Sequence, residues 1–177
     1  MPSPKLSEAQ IRNLASAVAT YISEQRASFR DKAEPVAPLH QAALRSFFPA
    51  KLFAKVRVVR GRADDPPFYG QLPSLGITNA PAFSAMAGIT FQDVVVHIET
   101  LTLSLLFHEL VHAVQYSHLG RQGFAERYVR GFLSGGSYEE IPLEKQAYEL
   151  EGRFARNPAE RFSVDEDVRQ RLLQQRL

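Results

Sequence analysis

Apolar residues recur at helical spacing through Ile11, Leu14, Ala15, Val18, Ala19 and Ile22, and Ser7 with Gln10 three residues on forms a capping box before them. The pattern predicts a first helix running to about Phe29. Pro35 and Pro38 then punctuate the chain, and a short second helix is expected over Leu39 to Phe48. The middle third changes character. Lys55 to Arg60 is rich in β-branched residues and reads as a strand. Asp64-Asp65-Pro66-Pro67 is a turn, and the chain to Pro81 is irregular. Gly88–Phe91 and Val94–Ile98, separated by Gln92-Asp93, read as a hairpin or as one bent strand, since the connection lacks the glycine such turns prefer.

From Leu101 to Leu119 the apolar positions nearly surround a helix, which is expected to be largely buried and to stop at Gly120. Phe124 to Leu133 is a further short helix, followed by a flexible Ser134-Gly135-Gly136-Ser137. Pro142 opens another helix with Leu143, Ala147, Leu150 and Phe154 as one narrow stripe, and Asn157-Pro158 ends it. Ser163 with Glu166 caps a last helix running to the C-terminus. Helices, a few strands, then helices make an α+β fold without repeated βαβ units. One domain is expected over 1–177. It comprises an N-terminal helical region (1–54), a core with a small mixed or antiparallel sheet and a buried helix (55–156), and a C-terminal helix (157–177).

Composition narrows the chemistry. With 45% hydrophobic residues the chain can bury a sizeable core, and it contains no cysteine. That excludes a disulfide scaffold, a Cys-ligated zinc ribbon, an iron–sulfur cluster and a thiol nucleophile. The 21 basic and 19 acidic residues are spread along the chain, so no nucleic-acid partner is expected. The longest apolar stretch, Leu101 to Val114, is interrupted by Thr102, Ser104, His108, Glu109 and His112, and is too short and polar to span a bilayer. No apolar leader segment follows the N-terminus, and the expectation is a soluble, cytoplasmic protein.

Within that buried helix stands His108-Glu109-Leu110-Val111-His112, an H-E-x-x-H pattern. Residues four apart on a helix are about 40° apart around its axis, so both imidazoles lie on one face and can bind a single Zn2+. Glu109, about 100° round, can reach a metal-activated water as general base without being a ligand. Zinc needs a third protein ligand. His118 fits a longer histidine spacing, but Gln115 occupies the place of the glycine that would turn the chain back to the metal, and no methionine follows Met86. The remaining candidates are acids of the later helix. Glu144 and Glu151 flank its apolar stripe, with Glu144 in the first turn and Glu151 in reserve, whereas Glu149 points to solvent.

The pair His108-Glu109-x-x-His112 and Glu144-Lys-Gln-Ala147-Tyr148 resembles the zincin metallopeptidases of the gluzincin type; soluble relatives of the CAAX-type proteases carry E-x-x-A-D in the second place. Leu105 to Tyr116 with Ile141-Pro142-Leu143-Glu144 also resembles bacterial metallopeptidase-like domains of unassigned function, which show H-E-L-x-H-x-x-Q after a short hairpin strand. The resemblance spans Phe83 to Phe154. It implies a zinc-hydrolase scaffold in which His108, His112 and Glu144 bind the metal and Glu109 is catalytic. Tyr148 stands where the relatives have Asp, so an acid supporting a ligand histidine is missing or comes from elsewhere.

Peptide hydrolysis also requires an oxyanion donor, for which Tyr148 is the first candidate, with Tyr116 and Tyr138 behind it. Val94 to Ile98 is the candidate strand bordering the cleft, and Ser134–Ser137 is a lid or a connector. The expected function is a zinc-dependent metallopeptidase acting on a peptide or protein substrate. The alternative is a catalytically weak or inactive zincin-fold module that binds a protein segment. Hydrolysis of a non-peptide amide is a third reading, with deformylase chemistry disfavoured by the absence of cysteine.

Overall fold

Ser7 starts the architecture as the capping box requires: its side chain accepts from the Gln10 N–H at 3.2 Å, and its own N–H donates to Gln10 Oε1 at 2.8 Å. In the computed structural model, which describes residues 6–174, helix α1 runs Glu8–Arg30 and buries Ala15, Val18, Ala19, Tyr21 and Ile22. Helix α2, Pro38–Leu44, stops short of the expected Phe48. Phe47 and Phe48 leave the helix to join an aromatic cluster, with Phe107 lying 5.5 and 5.0 Å from their rings and stacking on Phe154 at 4.6 Å. Tertiary packing overrides local propensity here.

Several short elements depart from the expected pattern. Helix α3, Ala50–Lys55, follows Pro49, and Val56 N–H closes it onto the Leu52 carbonyl at 2.9 Å. Lys55 is therefore helical, and strand β2 is only Arg57–Arg60. Strand β1, Glu34–Pro35, pairs antiparallel with β2 at the sheet edge, where a proline is tolerated. The irregular stretch before Pro81 contains a 3-10 helix, Pro67–Leu75.

Strands β3, Gly88–Phe91, and β4, Val94–His97, are antiparallel partners, so the segment is a hairpin and not one bent strand. Gln92 takes the turn with φ of 62°, a strained conformation for a side-chain-bearing residue. The next residue is clamped from outside. Asp93 is bound by Arg26 at 2.5 and 3.0 Å and by Arg30 at 3.2 Å, both on α1. The sheet order is β1-β2-β4-β3 with β2 and β4 parallel, a mixed sheet in an α+β fold. β4 is thus an interior strand, with Val94, Val95 and Val96 buried. It cannot border a cleft as an accepting edge; β3 holds that position.

Helix α4, Leu103–Gly135, begins with Thr102 accepting from the Leu105 N–H. Gly120, at φ 66° and ψ 172°, breaks the helix as expected, but the chain resumes it at once. The predicted short helix is its second half. Ser134 and Gly135 are helical, and Gly136 is a left-handed cap, so the expected flexible tetrapeptide is mostly a helix end. Gly131 lets α4 approach the next helix closely, since a methyl group there would stand 2.6 Å from Pro142 Cδ. Helix α5, Pro142–Arg156, buries the expected stripe against α4.

Helix α6, Val164–Leu173, is capped by Ser163, with Val164 N–H bonded to the Phe47 carbonyl at 3.1 Å. Its expected continuation to the C-terminus lies outside the described residues. One core draws on all three expected regions, from Ala15 through Val95 and Leu110 to Val168. No described helix is long and apolar enough to cross a membrane.

Candidate metal centre

The first half of α4 is enclosed by α1, β3 and α5, and every side chain from Leu106 to Tyr116 is buried. Polar groups in such a helix need partners. His108, Glu109 and His112 are 6%, 3% and 5% exposed, and the first turn of α5 brings Glu144, 3% exposed, against them. The Nε2 atoms of the two histidines are 3.1 Å apart. Glu144 Oε2 is 3.5 Å from Nε2 of His108 and 3.3 Å from Nε2 of His112. This same oxygen is the buried side-chain atom that finds no hydrogen-bond partner among the described residues.

The outer nitrogens explain the orphan. Glu151 Oε2 accepts from His108 Nδ1 at 3.1 Å, while its other oxygen accepts from Ser104 Oγ at 2.7 Å. Gln115 Oε1 accepts from His112 Nδ1 at 2.9 Å. Both rings are thereby assigned their proton on Nδ1, which leaves two Nε2 lone pairs and a carboxylate oxygen facing one point. With Nε2 unprotonated the three acceptors cannot satisfy one another; a cation between them, either a proton or a metal ion, can.

The triangle also has the right size. An ion bound tetrahedrally at roughly 2.0–2.1 Å holds its donors about 3.3–3.4 Å apart, and the three edges here are 3.1, 3.3 and 3.5 Å. A donor set of two imidazoles and one carboxylate suits zinc. The residues present fit the metal.

The charges lean on one another. With no metal ion in the triangle, burial opposes ionisation of His108, but the Glu144 and Glu151 carboxylates outweigh it and push its pKa up to about 10, so a metal ion must displace a proton held there. His112 moves up in the same direction, its burial outweighed by Glu144. Burial would raise Glu144, yet the two imidazoles hold it well below the usual carboxylate range. Glu109 behaves differently. Burial dominates and pushes its carboxyl up, only partly offset by the histidines and by the Thr90 hydroxyl. That hydroxyl donates to Glu109 Oε2 at 2.7 Å, and the absence of a side chain at Gly88 makes room for Oε1, since a methyl group there would stand 2.6 Å from it.

Glu109 borders two spaces. One is an inner cavity of about 50 Å³, lined also by His112, Glu144, Thr90 and the rings of Phe124 and Tyr138. The other is an open cleft of about 700 Å³ between Met86, Leu105, His108, Tyr148 and Glu151. Tyr148 is half-exposed, with its ring 4.6 Å from that of His108. Tyr138 lies between cavity and cleft, close enough to Glu144 for that charge, with burial, to raise its phenol. Tyr116 stacks on Phe124 at 3.8 Å and is part of the core.

His118 lies away from the cluster, its Nε2 3.0 Å from Asp165 Oδ1 at the start of α6. Sequence reading missed Thr90, Ser104, Gln146 and Asp167, because contacts between distant elements leave no periodic trace. Gln115 did leave a signal: a buried amide one turn beyond a histidine. The expected ligands His108, His112 and Glu144 form one possible metal-holding group among the described residues. Comparison with family models, with curated proteins and with solved structures gives no match for this chain.

Proposed function

We propose that the chain is a zinc-dependent metallopeptidase. The carrying observation is the converging triangle of His108 Nε2, His112 Nε2 and the orphan Glu144 Oε2, with Glu109 beside it at the floor of an open cleft. A bound zinc ion would supply Lewis acidity, polarising a substrate carbonyl and making water acidic enough to yield a nucleophile near neutral pH. Glu109 takes the proton from the attacking water and returns it to the leaving amine. Burial pushes its carboxyl up, which favours its holding the proton between those two transfers. Thr90 keeps the carboxylate aimed while it does so.

The cleft suits an extended chain. The Ile98 N–H bonded to the Ala87 carbonyl sets the alternation of the hairpin, and this turns the backbone groups of Gly88 away from β4, on the free edge of the sheet. A peptide strand laid there would run past His108 and Tyr148, and Tyr148 or Tyr138 would donate to the developing oxyanion.

The test is metal content after purification without added zinc, together with cleavage of a general peptide library by the parent and by Glu109→Gln. Bound zinc in both, with turnover in the parent alone, is the expected result. An unchanged rate in Glu109→Gln removes the base assignment. Zinc without cleavage in the parent replaces the peptidase with the binding module.

A further inference from the structure

Helix α6 lies outside the H-E-x-x-H and Glu144 motifs, yet a chain of side-chain amides runs from it to the metal centre. The His112 Nδ1–H donates to Gln115 Oε1 at 2.9 Å. The Gln115 amide nitrogen donates to the Leu143 carbonyl at 2.9 Å and to Gln146 Oε1 at 3.0 Å. The Gln146 amide nitrogen donates in turn to Asp167 Oδ1, on α6, at 2.7 Å. Gln115 and Gln146 are fully buried.

The direction of this chain is fixed at its ends. A carboxylate and a backbone carbonyl only accept. Asp167 therefore turns the nitrogen of Gln146 towards itself and leaves the oxygen for Gln115. The Leu143 carbonyl and Gln146 Oε1 together take the nitrogen of Gln115 and leave its oxygen for His112. An oxygen at that place accepts only from a protonated Nδ1, so the Nε2 lone pair of His112 faces His108 and Glu144. Leu143 also directly precedes Glu144, so the same amide ties the ring of one ligand to the backbone beside another.

We propose that Gln115, Gln146 and Asp167 are positioning residues that fix the tautomer and ring direction of His112, so that α6 sets the metal affinity of a site it does not touch. The inference rests on the metal reading above. Asp167 keeps 29% of its side chain in solvent and also binds Arg171 Nε at 2.9 Å, which provides a control.

The experiment measures zinc affinity of the full chain by competition with a chromophoric chelator, and the Nδ1–H resonance of His112 in the zinc-loaded protein by long-range 1H–15N NMR. Gln146→Leu and Asp167→Leu are expected to weaken zinc binding roughly 10- to 100-fold and to lose the slowly exchanging Nδ1 proton. Asp167→Asn still presents an accepting oxygen and should bind zinc as the parent does. Arg171→Gln removes the ion pair and leaves the relay, and should do the same. Thermal unfolding of each variant in chelator separates positioning from scaffolding. Parent-like affinity in both leucine variants overturns the relay while leaving the metal reading intact, as does an affinity loss that merely follows lost stability. A parent that binds no zinc overturns the metal reading itself, and the relay with it.

Discussion

Glu144 and Glu151, seven residues apart on α5, address opposite nitrogens of one ring: Glu151 Oε2 lies 3.1 Å from His108 Nδ1, and Glu144 Oε2 lies 3.5 Å from His108 Nε2. Two turns of helix put both acids on one side, so they divide the imidazole between them instead of competing for one place. The acid expected after Glu144 at position 148, where Tyr148 stands, is supplied one turn later. Ser104 holds the free oxygen of Glu151, which is held below its ordinary range chiefly by its hydrogen bond to His108.

That division predicts unequal effects. Glu144→Ala removes a donor and should leave no zinc after dialysis against a weak chelator. Glu151→Gln keeps an acceptor for the Nδ1 proton but loses the charge, and should weaken zinc binding roughly tenfold while metal remains detectable. Metal analysis of the dialysed proteins checks both. Equal retention in Glu144→Ala and the parent would remove Glu144 from the ligand set.

His118 supplies the converse case. Its partner is Asp165, and the pair is solvent-facing, where such contacts contribute about 0–1 kcal/mol. His118→Ala should leave zinc content unchanged and shift thermal unfolding only slightly. Loss of metal in that variant would restore a third-histidine site.

How much of this was legible follows from what each feature depends on. The H-E-x-x-H turn, the cap at Ser7 and the helix opened by Pro142 are local patterns, and each stands where periodicity puts it. The choice between Glu144 and Glu151 was not local. Both flank the same stripe, and only the docking of α5 on α4, permitted by Gly131, decides which oxygen meets Nε2. Strand order was equally hidden. Val94–His97 and Gly88–Phe91 read alike as strands, and it is the parallel pairing of β4 with β2 that makes one interior and the other an edge. Phe47 and Phe48 fit a helix by pattern and left it for aromatic partners far along the chain.

The hairpin without glycine carries a pH prediction. Burial would raise Asp93, but Arg26 and Arg30 hold it below its ordinary value of 3.8. A carboxyl depressed in the folded state stabilises the fold above its unfolded pKa, and the contribution is lost as pH falls through the folded one. Asp93→Asn should therefore cost roughly 1–2 kcal/mol near neutrality. Its penalty should shrink on acidification below about pH 4, where the unfolded chain's carboxyl begins to protonate while the folded one is still ionised. Urea unfolding of both proteins across that range is the measurement, and a penalty independent of pH would mean the charge of Asp93 adds nothing to the clamp. Gln92→Gly, by contrast, relieves the left-handed strain and should stabilise by about 1 kcal/mol.

The closest approach to the proposed base gives the sharpest separation of metal binding from turnover. Gly88 lies on the edge strand with no side chain, and a methyl group there would stand 2.6 Å from Glu109 Oε1 and 3.0 Å from Leu105 Cδ1. The carboxylate must then swing, because its other oxygen is held by Thr90 and the strand is fixed by β4. The three atoms nearest that methyl belong to Glu109 and Leu105, and none is a proposed metal donor. Gly88→Ala should accordingly keep its zinc and lose roughly 10²-fold in peptide turnover, the scale of an ångström of misplacement, with 1–3 kcal/mol of stability lost to crowding. Parallel metal analysis, unfolding and cleavage assays read the three effects separately. If turnover survives while the methyl is tolerated, Glu109 Oε1 is not the atom that moves the proton.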